Sequence, residues 1–562
     1  MINTSRRTFL TGVGGLALTG VGSTADRAKA SSRTVEAGTV PETVSPEMSD
    51  LESVVEETLA SQLGDAAPGA TVAIVNGDDI ALAKGYGHAD VETGRRMDKK
   101  ETATRIGSVS KLVTWTAVMQ GVQDGVLDLD ADVNRYLEDS AVTIPDTYSD
   151  PVTLRHLGTH TAGFSVVPNP GLVTNSNALT SLETALVEDQ PDRIRPPSEA
   201  VAYSNWGATL AGHIVAEAYD TTFEEYVQSN ICGPLEMNHS TFTQPVPADH
   251  PGDLAAPHDS SGDEITRADP LYINWGPAGS MSATALDMAA FMQAHLGYGT
   301  DAILNSETMA TMHSRQYGRH PAVNGLRYGF FEYGPPSGSY IGHSGGTVYY
   351  TAWLGLLPDH DVGVFIGFNG LGDPVTPAAE ILTEYGLFPE TPTPDPTTAR
   401  TSRERAEAVA GEYKSTATAF EDDWRQVIGL LSRLSVDATD DGGLVTQTMG
   451  GDAVEWVETE PYVYRERNGD DVLAVDVADG RVTQLHLNSQ PSTTFLPVTM
   501  PDQRKVTLGA VGAAAGGSAL SLVGWAGISG WRRLSRFRSG SDGGSTPDDE
   551  TAQPDRNKEG SQ

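Results

Sequence analysis

The chain has 562 residues, with 75 acidic against 37 basic side chains and a formal net charge of −38 at pH 7. That length exceeds what one small core needs, and carboxylates in excess along the whole chain repel phosphate, which excludes nucleic acid as a partner. The same excess, with lysine scarce, is the composition expected of a halophilic protein, because salt screens its self-repulsion.

Residues 1–30 read as an export signal. Ser5-Arg6-Arg7-Thr8-Phe9-Leu10 precedes a run rich in Gly, Leu and Ala, and Ala28-Lys29-Ala30 offers small residues for cleavage. This is a twin-arginine type of address. Residues 31–47, with Pro41 and Pro46, form a polar lead. Leu51, Val54, Val55, Leu59 and Leu63 then recur at helical spacing. Ala70–Val75 and Ile80–Ala83, separated by Asn76-Gly77-Asp78, predict a β-hairpin. Ser108 to Met119, with Leu112, Trp115 and Val118, predicts a buried helix. A second helix, carrying Leu210, Ile214, Val215 and Ala218, follows Ala202-Tyr203-Ser204-Asn205-Trp206. Strand-like runs return at Thr351–Leu357 and Val362–Phe368, around a turn at Pro358–Asp361. Strands at both ends with helices between predict one α/β domain over residues 48–388, whose sheet joins distant parts of the chain.

Residues 389–401 hold Pro392, Pro394 and Pro396 and predict a stiff linker. Over 402–500 short alternating stretches, such as Val472–Val477 and Val482–Leu487, are broken by Gly/Asp turns. They predict a small all-β domain, a sandwich or a barrel, with no catalytic residues. Val506–Trp531 carries no charge and is long enough to span a bilayer. Arg532, Arg533, Arg536 and Arg538 follow it, which favours a cytoplasmic C-terminus and an extracellular catalytic domain at the cell membrane. Gly512 and Gly516 have the spacing of a helix–helix contact, hence a possible membrane-mediated dimer. Residues 532–562 are a basic, then polar, tail.

Lys111 is the only lysine between Glu101 and Tyr413. It lies three residues after Ser108, a spacing that puts amine and hydroxyl on one helix face. That pair is the minimum equipment for an activated serine nucleophile. The start of the helix supplies unsatisfied backbone N–H groups for an oxyanion, and its dipole disfavours a protonated Lys111. Tyr203 lies beside a possible cation, which would lower its pKa and suit it to proton transfer. Asn205 could hydrogen-bond Lys111 and the substrate. Gly342-His343-Ser344-Gly345-Gly346-Thr347 precedes a strand, and its glycines let backbone approach a ligand. Cys232, the single cysteine, sits in an apolar stretch and reads as a buried structural thiol. No CxxC or HExxH pattern occurs, so neither a metal nor another cofactor is expected.

Ser-x-x-Lys, Tyr-x-Asn about a hundred residues on, then His-x-Gly near the last strands resembles the serine β-lactamase and penicillin-binding-protein superfamily. The likeness is to its class C-like branch, with its esterases and D-aminopeptidases. Thr153–Phe164, Pro277–Asp287 and Tyr328-Gly-Phe resemble supporting segments of that family. The resemblance implies an antiparallel sheet flanked by helices, plus a helical subdomain. It implies Ser108 as acylated nucleophile, Lys111 as its base, Tyr203 as proton relay and Asn205 as a positioning group. His343 would stand where β-lactamases carry lysine, and with Gly345 would contact substrate. Backbone N–H groups of Ser108 and Gly346 would form the oxyanion hole. Histidine at 343 points to an ester, amide or short D-amino-acid peptide as substrate, with little or no β-lactam hydrolysis. Two alternatives remain at this level. Gly342-His-Ser344-Gly-Gly346 also fits the G-x-S-x-G elbow of α/β-hydrolases, which needs a strand, a sharp turn and a helix. A non-catalytic ligand-binding or sensor member of the superfamily is the other.

Overall fold

The computed structural model describes residues 50–498, apart from 168–170, 263, 300–302, 335–339, 388–399 and 419–432. The signal, the lead, most of the linker, the apolar run 506–531 and the tail lie outside the described residues. Among the described residues no helix is long and apolar enough to cross a membrane.

Helix α1 (Leu51–Leu59) opens the domain. The predicted hairpin forms as β1 (Gly69–Asn76) and β2 (Asp79–Asp90), followed by the short β3 (Arg95–Arg96). Near the other end come β4 (Phe331–Tyr333), β5 (Tyr340–Gly346), β6 (Thr351–Leu357) and β7 (Val362–Phe368). They make one seven-stranded sheet in the order β4-β5-β6-β7-β1-β2-β3. Strands β1 and β7 join the two ends of the domain, antiparallel, with Ala70 opposite Phe368.

Alternation along β1 explains why both faces are apolar. Ala73 and Val75 face the large helical core, whereas Ala70, Val72 and Ile74 face α1 and the helix Val375–Glu384. Strand β6 divides likewise, with Leu354 and Leu356 to one side and Trp353 and Leu357 to the other. Helix α2 (Ser110–Gln123) is buried from Ser110 to Gly121. A helix buried on every side belongs in a core, and α2 runs through the middle of this one beside α3 (Asn205–Tyr219).

The all-β region closes into an eight-stranded antiparallel barrel, which decides between the two shapes expected of it. Its strands are β8 (Gly411–Ser415), β9 (Leu434–Ala438), β10 (Leu444–Thr448), β11 (Val454–Glu460), β12 (Val463–Glu466), β13 (Val472–Ala478), β14 (Arg481–Leu487) and β15 (Phe495–Pro497). Barrel and α/β domain form one compact unit. Val323 of the α/β domain packs with Val463, Val472 and Ala474 of the barrel.

Glu332 on β4 is buried and takes two arginines, Arg315 and Arg327, plus the backbone N–H of Gly325 at 2.7 Å. Glu332→Ala would leave these donors without an acceptor. We expect it to cost about 2 kcal/mol of folding stability, read from urea unfolding, because it removes the acceptor of the buried Gly325 N–H and of the partly buried Arg327.

Candidate active site

Ser108 sits in a 3₁₀ turn, Gly107–Val109, that leads straight into α2. The turn starts from the short buried strand Thr102–Arg105 and uses a positive φ of 53° at Gly107. One turn along, Lys111 is 0% exposed. Its Nζ lies 2.9 Å from Ser108 Oγ, 2.8 Å from Asn205 Oδ1 and 2.5 Å from the Ala278 carbonyl oxygen.

Burial is the only resolved influence on this amine, and it holds the pKa well below the ordinary lysine value of 10.5. A neutral amine has two N–H donors and one lone pair. The carbonyls of Asn205 and Ala278 take both donors, so the Ser108 hydroxyl is left to donate to the lone pair. That is the hydrogen bond a general base needs before it removes a proton.

Tyr203 also hydrogen-bonds Ser108. Its ring lies 5.0 Å from Lys111 Nζ. The sequence suggested a phenol acidified by a neighbouring cation, and the structure corrects this. Burial pushes the Tyr203 pKa above the ordinary phenol value, with no contribution from Lys111. Tyr203 therefore stays a neutral phenol, able to pass a proton along a chain of hydrogen bonds. Asn205 begins α3, but Ser204 caps it, its Oγ accepting from Gly207 N at 2.9 Å. That leaves the Asn205 amide free for Lys111.

His343 is buried on β5 against Tyr203 and Phe331, with ring centroids 6.0 and 4.8 Å away. Burial pushes its pKa down to about 3. Nδ1 faces the Ser344 carbonyl oxygen and must donate to it, so Nε2 carries the lone pair, without a partner among the described residues. Gly345 is buried. A Cβ there would lie 1.9 Å from the Ile106 carbonyl oxygen and 3.1 Å from Ser108 N. A Cβ on Gly107 would lie 2.5 Å from Gly346 N. The two glycines thus let the nucleophile turn and β5 touch, with Ser108 N and Gly346 N both at that contact.

His160 and the Ala278 carbonyl were missed in the sequence. The His160 ring packs at a tilt against Tyr203, centroids 4.5 Å apart, and its Nδ1 accepts from Ser204 N at 3.2 Å. Burial keeps it neutral as well. Its signal was the Thr159-His160-Thr161 segment, noticed only as a supporting likeness. Tyr328 and Trp115 stack behind the site and are core. Cys232 is buried, its thiol pushed up to about 12, as a structural cysteine would be. The described residues contain no cluster of metal ligands.

The α/β-hydrolase alternative fails on geometry. Ser344 lies inside β5, paired with Trp353 on β6, with no strand-to-helix elbow. Its side chain hydrogen-bonds Tyr333, and the adjacent His343 meets only its backbone carbonyl. His360 sits at the β6–β7 turn and His486 pairs with Asp476 on the barrel.

Comparison with known proteins agrees with this geometry. Over 158 residues the chain is 34% identical to monacolin J acid methylbutanoyltransferase of Aspergillus terreus, which covers 25% of this chain and 38% of that protein. Over 206 residues it is 27% identical to protein flp of Staphylococcus aureus, covering 36% and 39%. The chain therefore spans about two fifths of the length of these curated relatives. In fold it is similar to the crystal structure of SurE (TM-score 0.57, 19% identity, 79% of this chain and 98% of that one). It is also similar to the octameric penicillin-binding protein homologue from Pyrococcus abyssi (TM-score 0.51, 22% identity, 80% and 100%). The Beta-lactamase family model matches residues 52–385, more than half of the chain and every member of the cluster around Ser108, so the chain belongs to that family.

Proposed function

We propose that this protein is a serine hydrolase that works through an acyl-enzyme on Ser108. The observation that carries the reading is the fully buried Lys111, its pKa pushed well down by burial, with Nζ 2.9 Å from Ser108 Oγ. In the first step Ser108 Oγ bonds to the substrate carbonyl carbon while its proton passes to Lys111 Nζ. The carbonyl oxygen becomes an oxyanion held by the N–H groups of Ser108 and Gly346. The carbon–leaving-group bond then breaks, and the proton reaches the leaving group through Tyr203. Water, activated by the same amine, hydrolyses the ester formed on Ser108.

Substrates with a small ester or amide bond suit the site, including short D-amino-acid peptides. A neutral His343 offers no charge to a carboxylate, which argues for esters first and against efficient β-lactam hydrolysis. Filled catalytic positions argue against a purely ligand-sensing protein. The acyl group could also pass to an alcohol instead of water, as the name of the Aspergillus relative suggests. The composition supports work at high salt, residues 1–30 support export, and residues 506–531 support tethering to a membrane.

A panel of esters, D-peptides and β-lactams in molar salt, with and without an alcohol acceptor, tests the reading. Wild type should turn over at least one ester and be labelled covalently by a fluorophosphonate probe. Ser108→Ala should lose both. Turnover that survives Ser108→Ala would sink the mechanism.

A further inference from the structure

The segment that delivers Tyr203 to the site hangs between two walls. On one side Ala202 N donates to the His160 carbonyl at 2.8 Å. On the other side is the barrel. Tyr203 N donates to the Ser492 carbonyl at 3.3 Å, and Ala202 forms an antiparallel bridge with Thr493. Both backbone groups of Val201 are held by barrel threonines. Val201 N donates to Thr494 Oγ1 at 3.2 Å, and Thr416 Oγ1 donates to the Val201 carbonyl at 2.5 Å. The two threonines are themselves linked, Thr494 N donating to Thr416 Oγ1 at 3.0 Å. All of these residues are buried except the half-buried Tyr203 and Ser492.

The barrel turn after β14 is itself braced from the α/β domain. Arg319 is 5% exposed, and its Nη1 donates to the carbonyls of Leu487, Gln490 and Thr493 at 3.1–3.3 Å. Asn324 N donates to Asn488 Oδ1 at 2.8 Å. A buried guanidinium spent on three carbonyls of one turn fixes the shape of that turn.

We propose that the barrel is a positioning device for Tyr203, acting through Thr416, Thr494 and the turn held by Arg319. The inference rests on the reading of Tyr203 as proton relay. Tyr203 meets Ser108 at the end of a long rigid side chain. A small rotation of its backbone would move the phenol by about 1 Å, a misplacement that can cost roughly 100-fold in rate. A lost backbone clamp would therefore impair proton delivery to the leaving group, while the Ser108–Lys111 pair, held by α2, would stay intact.

Leaving-group chemistry separates this from a general loss of structure. Two esters of one acyl group are compared in the full chain, one releasing nitrophenolate, which departs without a proton, and one releasing a simple alcohol, which needs one. For the Thr416→Val/Thr494→Val variant, kcat on the alkyl ester should fall about tenfold with KM unchanged, whereas the nitrophenyl ester should change by less than about twofold. Tyr203→Phe should show the same selectivity, more strongly. Thr416→Ser and Thr494→Ser keep the hydroxyls and should behave as wild type. The single valine variants and Arg319→Lys carry the same test if the double variant does not fold. Equal losses on both esters, or none on either, would overturn the barrel's role. Tyr203→Phe showing the selectivity while the threonine and Arg319 variants do not would overturn that role alone. Tyr203→Phe without the selectivity would overturn the relay reading, and this inference with it.

Discussion

Lys111→Met will fold and will not acylate. Methionine is close to lysine in length, so α2 keeps its packing, but no base remains for the Ser108 proton. The rate of fluorophosphonate labelling of Ser108 should drop by about 10³- to 10⁴-fold, the scale for loss of a positioned general base. The stability of the same variant carries an independent check on the charge of Lys111. In the unfolded chain the amine is protonated below its ordinary pKa of 10.5, whereas burial holds its pKa well below that value in the fold. Unfolding therefore takes up a proton, and wild-type stability must fall as pH falls between 10.5 and the depressed folded value. The slope is about 1.4 kcal/mol per pH unit. Lys111→Met lacks this term, so its stability relative to wild type should rise steadily as the buffer is acidified. Parallel stability curves for the two proteins would mean that Lys111 is charged in the fold. Arginine is the poorer probe here, because a 0% exposed site would have to hold a larger, permanently charged group.

Gly345→Ala should be nearly as damaging, although it removes no functional group. The added methyl would sit 1.9 Å from the Ile106 carbonyl oxygen, which is backbone and cannot swing aside. Either β5 or the nucleophile turn must move by more than 1 Å. The N–H groups of Ser108 and Gly346 belong to those two segments, so the spacing of the proposed oxyanion donors is lost. Labelling of Ser108 should slow by at least about 100-fold, comparable to losing an oxyanion donor. Overpacking should also lower the unfolding free energy by about 1–3 kcal/mol. Labelling at the wild-type rate would show that the two segments do not need to touch.

What could be read from the sequence was what short-range spacing determines. Ser108 and Lys111 are one helical turn apart, and Tyr203 and Asn205 flank a helix start, so their placement followed once those helices were recognised. The hairpin around Asn76–Asp79 and the β6–β7 turn were legible for the same reason. The ionisation of Tyr203 was not, because it depends on whether Lys111 is charged, and that depends on tertiary burial. The Ala278 carbonyl is a backbone group 167 residues from Lys111, and no side chain announces it. The barrel's contacts with Val201–Tyr203 were illegible for a similar reason. They join backbone groups to the hydroxyls of Thr416 and Thr494 and to the backbone at Ser492 and Thr493, residues that look, in the sequence, like any others in alternating strands.

The pairing of β1 with β7 also has a consequence in time. Ala70 and Phe368 are partners 298 positions apart (368 − 70). At ordinary rates of chain synthesis, about 5–20 residues per second, β1 leaves the ribosome about 15–60 s before the strand that covers its free edge. The hairpin must wait that long with apolar residues on both faces. Ser108 waits almost as long for Gly346, 238 positions on (346 − 108), so a nascent chain that lacks this proposed oxyanion donor should acylate slowly, and refolding from denaturant should be slow, as it is for sheets with such distant contacts.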